Sequence, residues 1–313
     1  MTPLPLLFLA LASTAEQRFP AIVNGSVTTE PAGVVALVIE EGGDFYGPFC
    51  SATLVQAHWA VTAAHCVTAI RQDYAQYDVY VVTGANLFQS VGQYSRVVDS
   101  LANPAYDATL LTDDIGLLEL EGAGLPAVQT VPIGTTAVDY SWVGQELRFE
   151  GYGITADGAE DMGIKRYADI PLYQFDENLL YGYDPDDGQN VCQGDSGGAA
   201  LRDPGDGTWE LVGVNSFVGL WKGQEGENPC VDGFVGATRL DIELDWIASA
   251  SGGEIEIDLG GDTGDGDGSL WGGKSGGLCA AAPVGTRGLG LLALAAGAVA
   301  LRRRSFRTAR SPR

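Results

Sequence analysis

Cys192-Gln193-Gly194-Asp195-Ser196-Gly197-Gly198 places a serine in a glycine-rich turn. No bulky neighbour blocks approach to Ser196, and glycine permits the tight, exposed backbone that a reacting centre needs. Ser196 is therefore a candidate nucleophile. A hydroxyl is a weak nucleophile at neutral pH unless a base removes its proton, so this reading requires a histidine and a carboxylate to orient it. The chain has two histidines. His65, in Val61-Thr62-Ala63-Ala64-His65-Cys66, sits among small residues beside a cysteine that would pin an imidazole at a cleft. His58 lies in the polar run Gln56-Ala57-His58 and reads as a surface residue.

Outward from this stretch the pattern is that of an all-β protein. Short apolar runs separated by turn residues occupy 34–40, 49–55, 59–62, 79–83, 94–100 and 115–120, and again 146–151, 165–173, 209–217 and 234–240. Helical periodicity is expected only at 241–249. At 313 residues, with 45% hydrophobic content, the length suits about two domains with proper cores and excludes disorder of the whole chain. The charge is lopsided: 41 acidic against 17 basic residues, formally −24, with Arg302, Arg303, Arg304, Arg307, Arg310 and Arg313 crowded at the C-terminus. A body this acidic argues against a nucleic-acid partner, since neutralising phosphates takes a basic face.

Together Ile22-Val23-Asn24-Gly25, Thr62-Ala63-Ala64-His65-Cys66, Asp114-Ile115-Gly116-Leu117-Leu118-Glu119-Leu120 and Gly194-Asp195-Ser196-Gly197-Gly198 resemble the chymotrypsin/trypsin-like serine protease family over residues 22 to 248. The order His, Asp, Ser is that of the family. The resemblance implies two six-stranded antiparallel barrels, 22–130 and 131–250, with the active site in the cleft between them and a short C-terminal helix. It implies a serine endopeptidase acting on protein or peptide substrates, without cofactor or metal. His65 would serve as base and then acid, Asp114 would orient it, and Asp113 and Asp107 are the alternatives. The N–H groups of Gly194 and Ser196 would receive the oxyanion. The other hypotheses are a protease-shaped, non-catalytic binding module and an esterase using the same triad.

The resemblance also pairs Cys50 with Cys66 and Cys192 with Cys230, where four cysteines alone allow three pairings. It makes Ile22 a new N-terminus whose amine would pair with Asp195 after an activating protease cuts behind Ala21. It puts Asn190 at the pocket floor, Ser216, Phe217 and Val218 along one wall and Val235 on the facing one. With no carboxylate at 190 and two valines in the pocket, the expectation is cleavage after small or medium uncharged residues, as in elastase-like members. Asp232, near that wall, is the alternative source of a basic preference.

The ends read differently. Residues 1–15 carry an apolar run, Leu4 to Ala12, followed by Ser13-Thr14-Ala15, and read as a signal peptide; 16–21 would be a pro-segment. Export would suit disulfides. Residues 251–278, rich in Gly and Asp, read as an acidic linker. The tail 279–313 joins a lone Cys279, an apolar stretch 288–301 and an arginine cluster. Fourteen apolar residues fall short of the roughly 20 that span a bilayer. The tail resembles bacterial sorting signals of the MYXO-CTERM or GlyGly-CTERM type, implying membrane contact and a surface or extracellular protein.

Overall fold

In a computed structural model of the chain, the described residues are 22–257 except 157, 225 and 226, with the backbone of 305–307. The expected signal peptide, pro-segment, most of the linker, Cys279 and the apolar tail lie outside them. In chain order the strands are β1 (Ser26–Val27), β2 (Val34–Glu41), β3 (Asp44–Gln56), β4 (Trp59–Thr62), β5 (Asp78–Val82), β6 (Tyr94–Ala102) and β7 (Gly116–Leu120), then β8 (Glu146–Gly151), β9 (Arg166–Phe175), β10 (Leu179–Gly182), β11 (Ala199–Arg202), β12 (Glu210–Gly219) and β13 (Phe234–Arg239). Helix α1 spans Ala64–Gln72, α2 Pro229–Asp232 and α3 Leu244–Ala250.

The strands form two closed six-stranded antiparallel barrels. The first runs β3-β2-β5-β6-β7-β4 and closes through β3–β4; the second runs β9-β10-β13-β12-β11-β8 and closes through β8–β9. β1 adds to the edge of β9, and a last short strand, β14 (Ser305–Arg307), adds to β3. Closure leaves few free edges, which is how an all-β chain avoids pairing with its neighbours.

Burial explains why the strands alternate so weakly. In β2 both faces are covered: Val35 and Leu37 point into the main core, while Ala36 and Val38 join Phe45, Val82, Leu87 and Tyr152 in another cluster. The main core is shared between barrels, because Val34, Leu54, Val61 and Leu117 pack in one cluster with Ala199, Leu201, Val214 and Leu240. The barrels therefore present one rigid seam, and side chains that meet across it keep their spacing.

Three features depart from the sequence reading. α1 is a nine-residue helix with three buried positions, Ala64, Cys66 and Val67, too narrow an apolar stripe to stand out. β10 and β11 have four residues each, mostly buried, and too short to show a period of two. The expected linker from 251 also begins later than its composition suggests. Ile255 is buried in the main core, and the Glu254 carboxylate accepts hydrogen bonds from Trp59 (3.0 Å) and faces His58 Nε2 at 2.9 Å.

Disulfides join Cys50 to Cys66 and Cys192 to Cys230. The first closes a loop over a separation of 16 residues, and in the chain-entropy account that constraint is worth about 3 kcal/mol. The double variant Cys50→Ser, Cys66→Ser is expected to lose about that much stability in urea unfolding. An unchanged midpoint would show that the loop is held by packing instead.

Candidate active site

Both barrels contribute to one cluster around Asp114. β4 runs into α1, which carries His65 on its first turn and Cys66 beside it. Just before β7 the chain bends sharply at Asp113, whose φ of 52° is the left-handed conformation, and the Ile115 N–H donates to the Asp113 carbonyl at 2.9 Å. This bend turns the fully buried Asp114 toward the helix start. Asp114 Oδ1 accepts the backbone N–H of His65 at 2.9 Å, and Oδ2 lies 2.7 Å from His65 Nδ1. The second barrel grips the same residue. Ser216 of β12 donates its hydroxyl to Asp114 Oδ2 at 2.5 Å, and Thr238 of β13 donates to the Asp114 carbonyl at 3.1 Å.

The alternative aspartates are engaged elsewhere. Asp107 accepts the N–H groups of Thr109 (2.7 Å) and Leu110 (3.0 Å) in its own turn. Asp113 faces Glu243, whose carboxyl is pushed up to about 7 by burial first and by Asp113 second.

The electrostatics follow from these contacts. Burial disfavours the charged form of Asp114, but His65, the Ser216 hydroxyl and the His65 N–H together hold it below the usual carboxylate range. Burial likewise works against the imidazolium, yet the charge and hydrogen bond of Asp114 outweigh it and raise His65 above its ordinary value.

Ser196 is tied to the same strand as His65. The Ser51 N–H donates to the Ser196 carbonyl at 2.8 Å, while the neighbouring Cys50 is bridged to Cys66, next to His65. Gly197 fits between them: a Cβ there would run into Thr62 Oγ1 and the Ser51 carbonyl and come within 3.1 Å of Ala63 N. Gly194 has φ 95°, and its carbonyl accepts the Ser51 hydroxyl at 2.9 Å. Among the described residues neither the Gly194 nor the Ser196 N–H is taken by an intramolecular acceptor.

Asp195 is fully buried and points away from Ser196, into the second barrel. Its carboxylate accepts N–H groups from Gly153 (2.8 Å) and Cys192 (2.9 Å). Burial still pushes it up to about 7, despite those two bonds. Ile22 is fully buried in the second-barrel core, and Val23 exchanges backbone bonds with Asn190 at 2.8 and 3.3 Å.

At the expected pocket, Asn190 is buried, donating its amide to the Pro229 carbonyl at 3.0 Å and accepting the Val191 N–H at 2.9 Å. Asp232 accepts the Asn228 N–H at 3.2 Å, within the turn that opens α2. Val218 and Val235 are direct cross-strand partners, so both side chains emerge on one face of the sheet. Val235 is fully buried beside Phe149 and Ile170, and Val218 packs against that same cluster. The partly exposed Phe217 lies edge-on to Phe234, at 6.2 Å and 80°. Its ring covers Gly236, where any Cβ would collide with it. The one group of possible metal ligands among the described residues, Cys50, His65 and Cys66, offers no thiolate because its sulfurs share a disulfide.

Two contributors were not anticipated from sequence in their observed roles. Ser216 was expected only as pocket wall, and Thr238 not at all. Nothing local marks either, since each meets Asp114 across more than a hundred residues of chain.

Comparison with known proteins agrees with this geometry. The trypsin family model matches residues 22–247. Trypsin-1 of Astacus astacus is 27% identical over 217 residues, covering 64% of this chain and 86% of the relative. Trypsin of Simulium vittatum is 26% identical over 238 residues, 68% of this chain and 90% of the relative. Trypsin 5G1 of Aedes aegypti is 29% identical over 219 residues, 65% and 76% respectively. With the family model spanning most of the chain and both barrels closed around one buried aspartate, the chain belongs to the trypsin family and is a serine endopeptidase.

Proposed function

We propose that His65, Asp114 and Ser196 are the catalytic triad and that the Gly194 and Ser196 N–H groups stabilise the oxyanion. The carrying observation is the two-point grip of Asp114 on His65, through the backbone N–H and through Nδ1. That grip leaves Nε2 as the nitrogen that takes the Ser196 proton while Oγ attacks the scissile carbonyl. The proton then passes to the leaving amine, and water hydrolyses the acyl-enzyme by the same route in reverse. Asp114 stabilises the imidazolium without accepting its proton.

The base must be neutral to act, so kcat/KM falls on the acid side as His65 protonates. With His65 raised above 6.5, the acid limb is expected to have its midpoint above 6.5. Linkage runs the other way for stability: the His65 contribution is complete below 6.5 and fades as pH rises through the raised value. A pH profile of kcat/KM checks the limb, and a midpoint below 6 would contradict the Asp114 grip.

Substrate preference follows from Asn190 and the valine pair. A substrate Lys or Arg would lose its water beside an amide already bonded to Pro229. An unpaired buried charge costs about 3–5 kcal/mol, or about 10²- to 5 × 10³-fold in kcat/KM. Cleavage after small or medium uncharged residues is expected in a peptide-library digest, and dominance of Arg or Lys at the cleaved position would overturn it.

Cleavage behind Ala21, by a separate protease, would free the Ile22 amine to pair with Asp195. N-terminal sequencing of active enzyme tests this, since a start at Glu16 contradicts it. Export by residues 1–15 and membrane contact or sorting through 279–313 complete the reading. Disulfides and the secreted habit of trypsin-like enzymes support export. Mass spectrometry of the mature chain tests the tail: an intact Arg313 with unmodified Cys279 counts against sorting.

A further inference from the structure

Glu243 is buried just after β13, and the catalytic scheme does not use it. It caps the start of α3: its N–H donates to the Leu240 carbonyl at 3.0 Å, and its carbonyl accepts the Ile247 N–H at 2.9 Å. Ile247 is fully buried in the main core, so the Glu243 side chain leaves from a fixed point. It reaches across to the first barrel, where Oε2 accepts the Asn103 amide at 2.8 Å. Asn103, also buried, continues the β6–β7 ladder by one step. Its backbone N–H donates to the Ile115 carbonyl at 2.9 Å, and its Oδ1 accepts the Ala105 N–H at 2.9 Å. Ile115 directly follows Asp114. The segment between Asn103 and Ile115 needs an outside hold, because Leu111 and Asp113 have φ values of 56° and 52°. Residues with side chains keep that left-handed conformation only where their surroundings impose it.

We infer that Glu243 is a positioning residue for peptide hydrolysis: from the start of α3 it fixes Asn103, and through Asn103 the bend that delivers Asp114 to His65. The inference rests on the proposed role of Asp114 in the triad. Ser216 and Thr238 hold Asp114 itself, whereas Glu243 holds the pair of strand ends from which Asp114 departs. An apolar side chain would fill the same space without giving up the hydration of a carboxyl. What the carboxyl contributes is direction. Glu243 is also hydrogen-bonded to the Asp113 side chain, and a bond between two carboxyls requires a proton on one of them. Glu243→Gln therefore keeps both bonds, accepting from Asn103 through Oε1 and donating to Asp113 through Nε2. Loosening the hold weakens the contact of Asp114 with His65, the contact that raises the imidazole above 6.5.

The test assays the full chain in its active form on a small peptide amide, with active sites titrated so that kcat refers to working enzyme. Glu243→Ala is expected to lower kcat by about ten- to thirtyfold with KM changed less than about threefold. The acid limb of its kcat/KM profile should also move down toward 6.5, a shift that a mere loss of folded protein does not produce. Glu243→Gln should stay within about threefold of the parent, since both bonds survive. Asn103→Asp keeps the acceptor for Ala105 and loses the donor to Glu243, so it should show the same fall in kcat, and it stands in if Glu243→Ala does not fold. Asn103→Asp combined with Glu243→Gln exchanges donor and acceptor and should restore most of the loss. A kcat near the parent's in both Glu243→Ala and Asn103→Asp, a fall in kcat with the acid limb unmoved, or an exchange that restores nothing would overturn the inference. Failure of the underlying reading looks different. Asp114→Asn should lower kcat by about 10⁴-fold, and activity within about tenfold of the parent would remove Asp114 from the triad whatever the Glu243 variants do.

Discussion

Ser196→Ala and His65→Ala are each expected to lower kcat for peptide hydrolysis by roughly 10⁴- to 10⁶-fold while leaving folding intact. Neither side chain builds the core: both are partly exposed, and the elements carrying them are anchored by neighbours. Ser196 is held through its backbone carbonyl on Ser51, and His65 through its N–H on Asp114 and the adjacent Cys66 bridge. On the proposed roles, removing either side chain deletes a reacting group and leaves the scaffold. Nucleophile and base act as a unit, so the double variant should be scarcely slower than either single one. Single-turnover kinetics with active-site titration decides the matter. Residual activity within tenfold of the parent in either variant would remove that residue from the triad.

Gly197→Ala is expected to cost about 10²-fold or more in kcat/KM and to lower stability as well. Its φ of 78° is one an L residue adopts only with strain, but the larger penalty is spatial. The added methyl meets the Ser51 carbonyl and Ala63 N, which are backbone atoms of the first barrel and cannot swing aside. Relief requires the 196–198 turn to move away from the 62–65 segment, which displaces Ser196, the proposed nucleophile. Displacing a reacting group by about 1 Å is enough for a hundredfold loss. Gly207→Ala is a control with a similar φ of 79° but open space around it, and it should affect stability alone. Should both variants retain parental kcat/KM, the close fit at 197 would have no catalytic consequence.

Some of this was legible locally. Five of the first barrel's six strands carry β-branched or aromatic residues between polar turns, and the leucine-rich β7 follows Ile115, so all six can be read one by one. The second barrel was harder, because β10 and β11 are short runs covered on both sides, and a strand without an exposed face has no alternation to display. Helix α1 escaped because a helix held by a disulfide and by its first residues needs little apolar surface of its own. Ile255, beyond the final helix, reads as linker in a Gly- and Asp-rich setting, and only the groove it fills reveals that it belongs to the core.

By itself the sequence determined the all-β class, the family, and Ser196 and His65 as the candidate reacting pair. Those properties rest on local chemistry: glycines that allow a strained turn, and small residues around the one histidine set beside a cysteine. The sequence also favoured Asp114 over Asp113 and Asp107, because it directly precedes the strand at 115–120, while only the tertiary structure decided what each of the three meets. Asp113 and Asp114 are adjacent and Asp107 lies seven residues before Asp114, and the three differ in what the fold brings against them. Asp107 receives its own turn, Asp113 receives Glu243, and Asp114 receives His65, Ser216 and Thr238. A partner that arrives from the other barrel leaves no mark on the residues beside it in the chain, so its choice is made only when the two barrels close on their shared core.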